Sequence, residues 1–283
     1  MSRLTRSKRT IWQIDNGQAR RKSDYLATEE PLEIQLRAGD DQQTIAITMR
    51  TPGHDYELAA GFLYNEGVIQ SKDGITHMIY CVDGQQSLQE YNLLRVNLAA
   101  PRLPELQQLE RHFFTNSACG VCGKTMLDDL EKRSLPPLTT ELKVMPALLA
   151  TLPDALRQAQ KLFDSTGGLH AAALFDSNGE LITVREDVGR HNALDKLIGW
   201  GVLNKALPFH DKIIMVSGRA SYELLQKCRV ADAAIFCAVS APSSLAVELA
   251  EQFGITLVGF LRGSRFNVYS GFQRIALEPT ADK

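Results

Sequence analysis

Ser117-Ala118-Cys119-Gly120-Val121-Cys122-Gly123 carries the clearest chemical potential in the sequence. Two thiols three positions apart stand among residues too small to bury them, and Gly120 and Gly123 lack the Cβ that would restrict a tight turn. Cysteine reacts as its thiolate, and a Cys-x-x-Cys pair near a helix start is one means of lowering the thiol pKa. Met126, Leu127 and Leu130 follow with helical spacing, so Lys124–Leu130 reads as a short helix. Its free N–H groups and the Lys124 ammonium would both favour a negative sulfur. Four uses of such a pair remain open. A structural zinc site needs further ligands at short spacing, yet Cys81, Cys228 and Cys237 are isolated and only His112 is near. A thioredoxin-like motif needs a preceding buried strand, whereas Arg111–Asn116 reads as a loop entry. A persulfide carrier, with Cys119 holding the outer sulfur, needs only an accessible thiol. Two half-buried core cysteines would need an apolar setting that the flanking glycines do not supply.

A second set of candidates lies where apolar strands end, the place where ligands collect in open α/β sheets. Ile213–Val216 runs into Ser217-Gly218-Arg219, a hydroxyl, a permissive backbone and a guanidinium. Thr256–Phe260 runs into Leu261-Arg262-Gly263-Ser264-Arg265, whose two arginines suit a phosphate or a pterin edge through planar bidentate donors. Leu181–Arg185 runs into Glu186-Asp187-Val188-Gly189-Arg190-His191, where Asp187 is placed to cap the next helix. Taken singly, each arginine also reads as a surface charge, and His170 and His191 as structural histidines.

The elements that must position these groups divide the chain in two. Leu32, Ile34 and Leu36 alternate with polar residues, as do Ile45, Ile47 and Met49, which predicts a β-hairpin across Ala38–Asp41. A helix containing Leu58, Phe62 and Leu63 stops near Gly67, and strands follow at 75–82 and 92–98. Pro136-Pro137 and Pro146 mark a boundary, with a helix around 155–163 beyond it. Strand and helix patterns then alternate: strands at 170–175 and 181–185 joined through Ser177-Asn178-Gly179, a helix at 192–199, a strand at 213–217 and a helix at 222–227. A strand at 234–239, a helix at 245–253 and a strand at 256–260 complete a partly parallel sheet covered on both faces. The expected division is a basic extension over 1–30, an α+β domain over 31–135 ending in the cysteine loop, and an α/β domain over 146–283. The extension, with Arg3, Arg6, Lys8, Arg9, Arg20, Arg21 and Lys22, is expected to be a frayed, solvated terminus.

Composition narrows the classes. Net charge of −2 argues against a generic nucleic-acid binder, and no apolar run approaches a membrane span. Five irregularly spaced cysteines form no disulfide framework and fit a reducing compartment, so the cytoplasm is expected.

Together these segments resemble the formate dehydrogenase accessory sulfurtransferase family, FdhD (also called NarQ). The residues that carry the resemblance are Gly61-Phe62-Leu63 with Glu66-Gly67, the Cys119–Gly123 run, and Glu186–His191 with Ala193-Leu194-Asp195-Lys196. Ser217–Glu223, Ala238–Pro242 and Val258-Gly259-Phe260 continue it. The resemblance implies a sulfur carrier that accepts sulfur from a cysteine desulfurase and passes it to molybdenum cofactor, bis(molybdopterin guanine dinucleotide), before insertion into formate dehydrogenase. It implies that Cys119 carries the persulfide with Cys122 assisting, and that Phe260, Leu261, Arg262, Gly263, Ser264 and Arg265 contact the cofactor, joined on our reading by Ser217 and Arg219. This chain has Leu261-Arg262-Gly263-Ser264 where relatives can have Cys-Lys-Pro-Gly. The resemblance further implies homodimers and a three-layer cytidine-deaminase-like fold for the second half, beside the smaller α+β domain. The zinc deaminase signature is absent, since Ala171-Ala172 follow His170, so neither a resident metal nor deamination is expected. The rival readings are a cofactor-binding chaperone that moves no sulfur and a thiol-disulfide oxidoreductase.

Overall fold

The structure, a computed structural model, describes residues 5–81, 91–104 and 135–277. The Cys-x-x-Cys loop with Cys119 and Cys122, and the helix expected after it, lie outside the described residues.

The first elements correct the reading of the N-terminus. β1 (Arg6–Asp15) and β2 (Gln18–Ala27) form an antiparallel ribbon in continuous register from Arg6↔Ala27 to Asp15↔Gln18. Asn16 and Gly17, both at positive φ (48° and 80°), make the two-residue turn whose twist matches a hairpin. The basic charges obscured that signal; they sit on the ribbon without preventing it.

The four-stranded sheet has the order β4-β3-β6-β5, from β3 (Glu30–Ala38), β4 (Asp41–Arg50), β5 (Ile75–Tyr80) and β6 (Leu93–Leu98). Leu32, Ile34 and Leu36 alternate inward, as the hairpin pattern predicts, and pack with Leu94 and Val96 against Leu58 and Leu63 of helix α1 (Asp55–Asn65).

The larger unit begins with α2 (Pro146–Ala159) and α3 (Lys161–Thr166). Pro146 starts α2 because a residue at the first helical position needs no intrahelical N–H bond, so the helix begins nine residues before the expected 155. β7 (His170–Phe175), β8 (Leu181–Asp187), β9 (Ile213–Val216), β10 (Ile235–Ala238), β11 (Thr256–Arg262) and β12 (Arg265–Ser270) form a six-stranded sheet of order β12-β11-β10-β9-β7-β8. β9, β10 and β11 are mutually parallel, while β7 runs antiparallel to both β8 and β9. Both faces are apolar. Ala172, Leu174, Ile214, Val216, Phe236 and Leu257 face α4 (Arg190–Leu203), α5 (Tyr222–Val230) and α6 (Ser244–Gln252). Their neighbours Ala171, Ala173, Ile213, Met215, Ile235 and Cys237 face α2 on the other side. Period-2 alternation between two buried faces is the reason these strands read as continuous apolar runs.

The two units meet where α1 crosses α4. A Cβ at Gly61 would overlap the backbone of Asp195 and one at Gly199 the backbone of Glu57, so the helices touch main chain to main chain. Among the described residues no helix is long and apolar enough to cross a membrane.

Candidate functional site

The parallel strands β9, β10 and β11 end at one edge of the six-stranded sheet, and the antiparallel β7 starts there. That edge gathers His170, the Asp187–His191 segment, Ser217-Gly218-Arg219 and the Phe260–Arg265 hairpin. The clustering expected from sequence is therefore present.

Beneath it lies a buried ion pair. Lys196 Nζ is 2.6 Å from Asp187 Oδ2, with side chains 1% and 0% exposed. Lys196 also donates to the carbonyl oxygens of Thr51 (2.8 Å) and Glu186 (3.4 Å), which occupies all three of its N–H bonds. Asp187 accepts from the backbone N–H groups of Thr51 (3.1 Å) and Gly189 (2.8 Å) and from Asn192 Nδ2 (3.2 Å). Asp187 thus does more than hold the start of α4: it ties the loop after β4 to the sheet edge. A second pairing links three helices, with Asp195 Oδ1 taking Asn65 Nδ2 (2.7 Å) and Lys227 Nζ (2.6 Å). Arg185 on β8 binds Glu57 of α1 through two nitrogens. Sequence reading missed these partners; the available signal was the charged Asp195-Lys196 pair inside an otherwise apolar helix.

Above the network the edge is basic. Arg190, Arg219 and Arg265 have no carboxylate partner among the described residues. Arg262 donates Nε–H to the Val239 carbonyl at 3.2 Å, and it pairs with Arg265 across the Gly263-Ser264 turn. Phe260 sits at φ 52°, a left-handed conformation unfavourable for a bulky residue, and the residue is 42% exposed. Gly259 beside it accommodates Tyr269 and Pro242, which a Cβ would meet at 2.9 and 3.0 Å. Leu261 is fully buried in the cluster under α2, so its side chain serves the core. Ser217 Oγ accepts the Ala171 N–H at 2.9 Å, extending the pairing of β7 with β9.

His191 Nε2 lies 3.3 Å from Glu223 Oε2. That hydrogen bond, against the opposing effect of burial, brings the Glu223 carboxyl down to about 2. Burial pushes His170 below the ordinary histidine value, and the nearby Arg190, His191 and Arg219 act in the same direction. The edge therefore presents guanidinium groups, a neutral imidazole and an exposed aromatic ring, a set suited to an anionic ligand with a flat ring system.

Residues 27–276 match the model of the FdhD/NarQ family. The chain belongs to the FdhD/NarQ family. It is similar to a sulfur carrier protein FdhD of Streptomyces coelicolor, 50% identical over 284 residues and 98% of both chains. It is likewise similar to the sulfur carrier protein FdhD of Mycobacterium tuberculosis, 45% identical over 94% of this chain and 97% of the relative. Among solved structures, a formate dehydrogenase accessory protein from Desulfotalea psychrophila superposes with a TM-score of 0.74. It is 25% identical and covers 96% of this chain and all of its own. The FdhD/NarQ match takes in all three segments of the sheet edge as well as residues 82–90 and 105–134, which lie outside the described structure.

Proposed function

We propose that this protein is a cytoplasmic sulfur carrier that serves formate dehydrogenase, taking sulfur from a cysteine desulfurase and passing it to bis(molybdopterin guanine dinucleotide). The observation that carries the reading is the 50% identity to a sulfur carrier protein over 98% of both chains. The basic edge supports the substrate: Arg219, Arg262 and Arg265 hold phosphates while Phe260 stacks on a ring. The three layers and mixed sheet support a cytidine-deaminase-like second unit, and the family resemblance supports a homodimer.

On this reading the Cys119 thiolate attacks the outer sulfur of the desulfurase persulfide. The donor S–S bond breaks, a new one forms on Cys119, and the donor leaves as thiolate. Cys122 then either tunes the first thiol or attacks its inner sulfur, expelling the outer sulfur as hydrosulfide and leaving a Cys119–Cys122 disulfide. A thiol reductant restores the pair in the second case.

Mass spectrometry after incubation with desulfurase and cysteine tests the proposal. One extra sulfur on the peptide containing Cys119, absent in Cys119→Ala, is expected. A wild-type protein that binds cofactor but never gains sulfur is a chaperone, and the carrier reading fails.

A further inference from the structure

β1 and β2 carry six cationic side chains against two carboxylates, in a chain whose net charge is −2. The register sorts those charges by face. Arg6, Lys8, Trp12 and Ile14 of β1 share one face with Arg21 and Tyr25 of β2, because Lys8 stands opposite Tyr25 and Trp12 opposite Arg21. Asp15 and Asp24 project from the other face, where Asp24 stands opposite Arg9. The first face therefore holds cations and no carboxylate, and all six of its residues named here are exposed. Two of its guanidinium groups lie over rings of the same face: the Arg6 carbon is 4.4 Å from the Tyr25 centroid and that of Arg21 5.2 Å from Trp12. The ribbon also has an open edge. Among the described residues β1 pairs with β2 alone, whereas α3 packs beside β2. Asp15 and Gln18 close the two-residue turn, so alternation along the ladder points the N–H and C=O groups of Ile14, Trp12, Lys8 and Arg6 outwards. The free backbone groups and the uncompensated cations thus belong to the same residues.

We propose that β1 is the docking edge for an extended acidic peptide segment of another protein, which adds to the ribbon as a third strand. Main-chain hydrogen bonds to an open edge give such a strand its affinity, and side chains select it. Charge makes the selection here. Alternate residues of an added strand share the face of Arg6 and Lys8, so carboxylates at every second position meet both cations, with Arg21 one strand further in. Lysine and arginine on an exposed edge also repel strands of like charge. The same residues therefore discourage pairing with a second ribbon and admit a strand that carries carboxylates. Charge weighs against a long nucleic acid as well, because outside the ribbon acidic side chains outnumber basic ones and would repel a polyanion that ran beyond it.

The test is titration of the full-length protein with a peptide of alternating glutamate and valine, read by tryptophan emission. Trp12 lies on the docking face, while Trp200 packs against the core. A saturable change is expected, with binding about tenfold weaker for the glutamine–valine peptide. Equal binding of the two peptides, or of neither, overturns the proposal. Methylating every backbone nitrogen of the acidic peptide keeps its carboxylates but removes its N–H donors, and is expected to abolish binding. A methylated peptide that binds as well as its parent overturns strand addition. Arg6→Gln with Lys8→Gln is expected to weaken binding about tenfold, and Arg9→Gln with Lys22→Gln, an equal loss of charge on the opposite face, much less. Equal losses in the two variants overturn the assignment to this face. Should the ribbon of a variant come apart, the three peptides still decide the matter on the wild-type protein. Self-association through the ribbon that excludes the peptide makes the occupant a second copy, and tighter binding of oligothymidylate makes it a nucleic acid; either result overturns the proposal.

Discussion

Lys196 and Asp187 are charges that cannot be separated without leaving one of them buried and alone. Removing one partner of such a pair costs about 3–5 kcal/mol, while replacing both with apolar residues costs much less. Lys196→Met should therefore lower the urea midpoint sharply, and Lys196→Met with Asp187→Leu should recover part of the loss. Additive losses would show that the pair is not coupled. Cysteine reactivity is a second matter for single residues. Burial pushes the thiols of Cys228 and Cys237 well above the ordinary range, and Cys228 Sγ also donates to the Ala233 carbonyl at 3.3 Å. Alkylation of the native protein should label Cys119 and Cys122 well before these two, and fast labelling of Cys237 would contradict its place in β10. The apolar run around Cys237 made that burial readable from sequence. Nothing local to Asp187 revealed its partner nine residues on, because the pair exists only once α4 folds back over the strand end.

At the scale of elements, the crossing of α1 and α4 depends on two hydrogens. Gly61→Ala or Gly199→Ala forces a methyl group into facing backbone, and backbone cannot rotate away as a side chain can. Overpacking commonly costs about 1–3 kcal/mol. A clear drop in melting temperature is expected for each variant, whereas Gly263→Ala should cost less at the crossing-free turn, where a Cβ meets nothing within 4 Å. That turn sits at φ 57°, so a small backbone penalty remains. Strand and helix patterns were legible along most of this chain because two-sided burial writes its period into the sequence. β12 was not foreseen: its outward and inward residues are mixed in polarity, and it exists as the antiparallel partner of β11.

For the whole molecule, the N-terminal ribbon contributes no residue to any of the three buried clusters. Deleting residues 1–27 should leave the melting temperature nearly unchanged. It should also abolish the readily quenched tryptophan emission, since Trp12 is 64% exposed and Trp200 packs against the core. A large loss of stability would mean that the ribbon is integral to the fold. Acid should act on the molecule as a whole. His170 has a lowered folded pKa, so the native state resists a proton that the unfolded chain accepts below about pH 6.5. The Glu223 contribution is present above the ordinary glutamate value of 4.5 and is lost as pH falls towards about 2. Melting temperature should decline with falling pH through both windows, and Glu223→Gln should flatten the lower one. The sequence by itself determined the class of fold and the strands that end at the site, and it singled out Cys119 and Cys122 as the candidate thiols, because periodicity and motif spacing are local. Only the tertiary structure decided that Thr51, Asp187 and Lys196 form one buried unit, and that His170 stands among Arg190, His191 and Arg219. Those groups come from separate segments, and charge and burial act through space, whatever the distance along the chain.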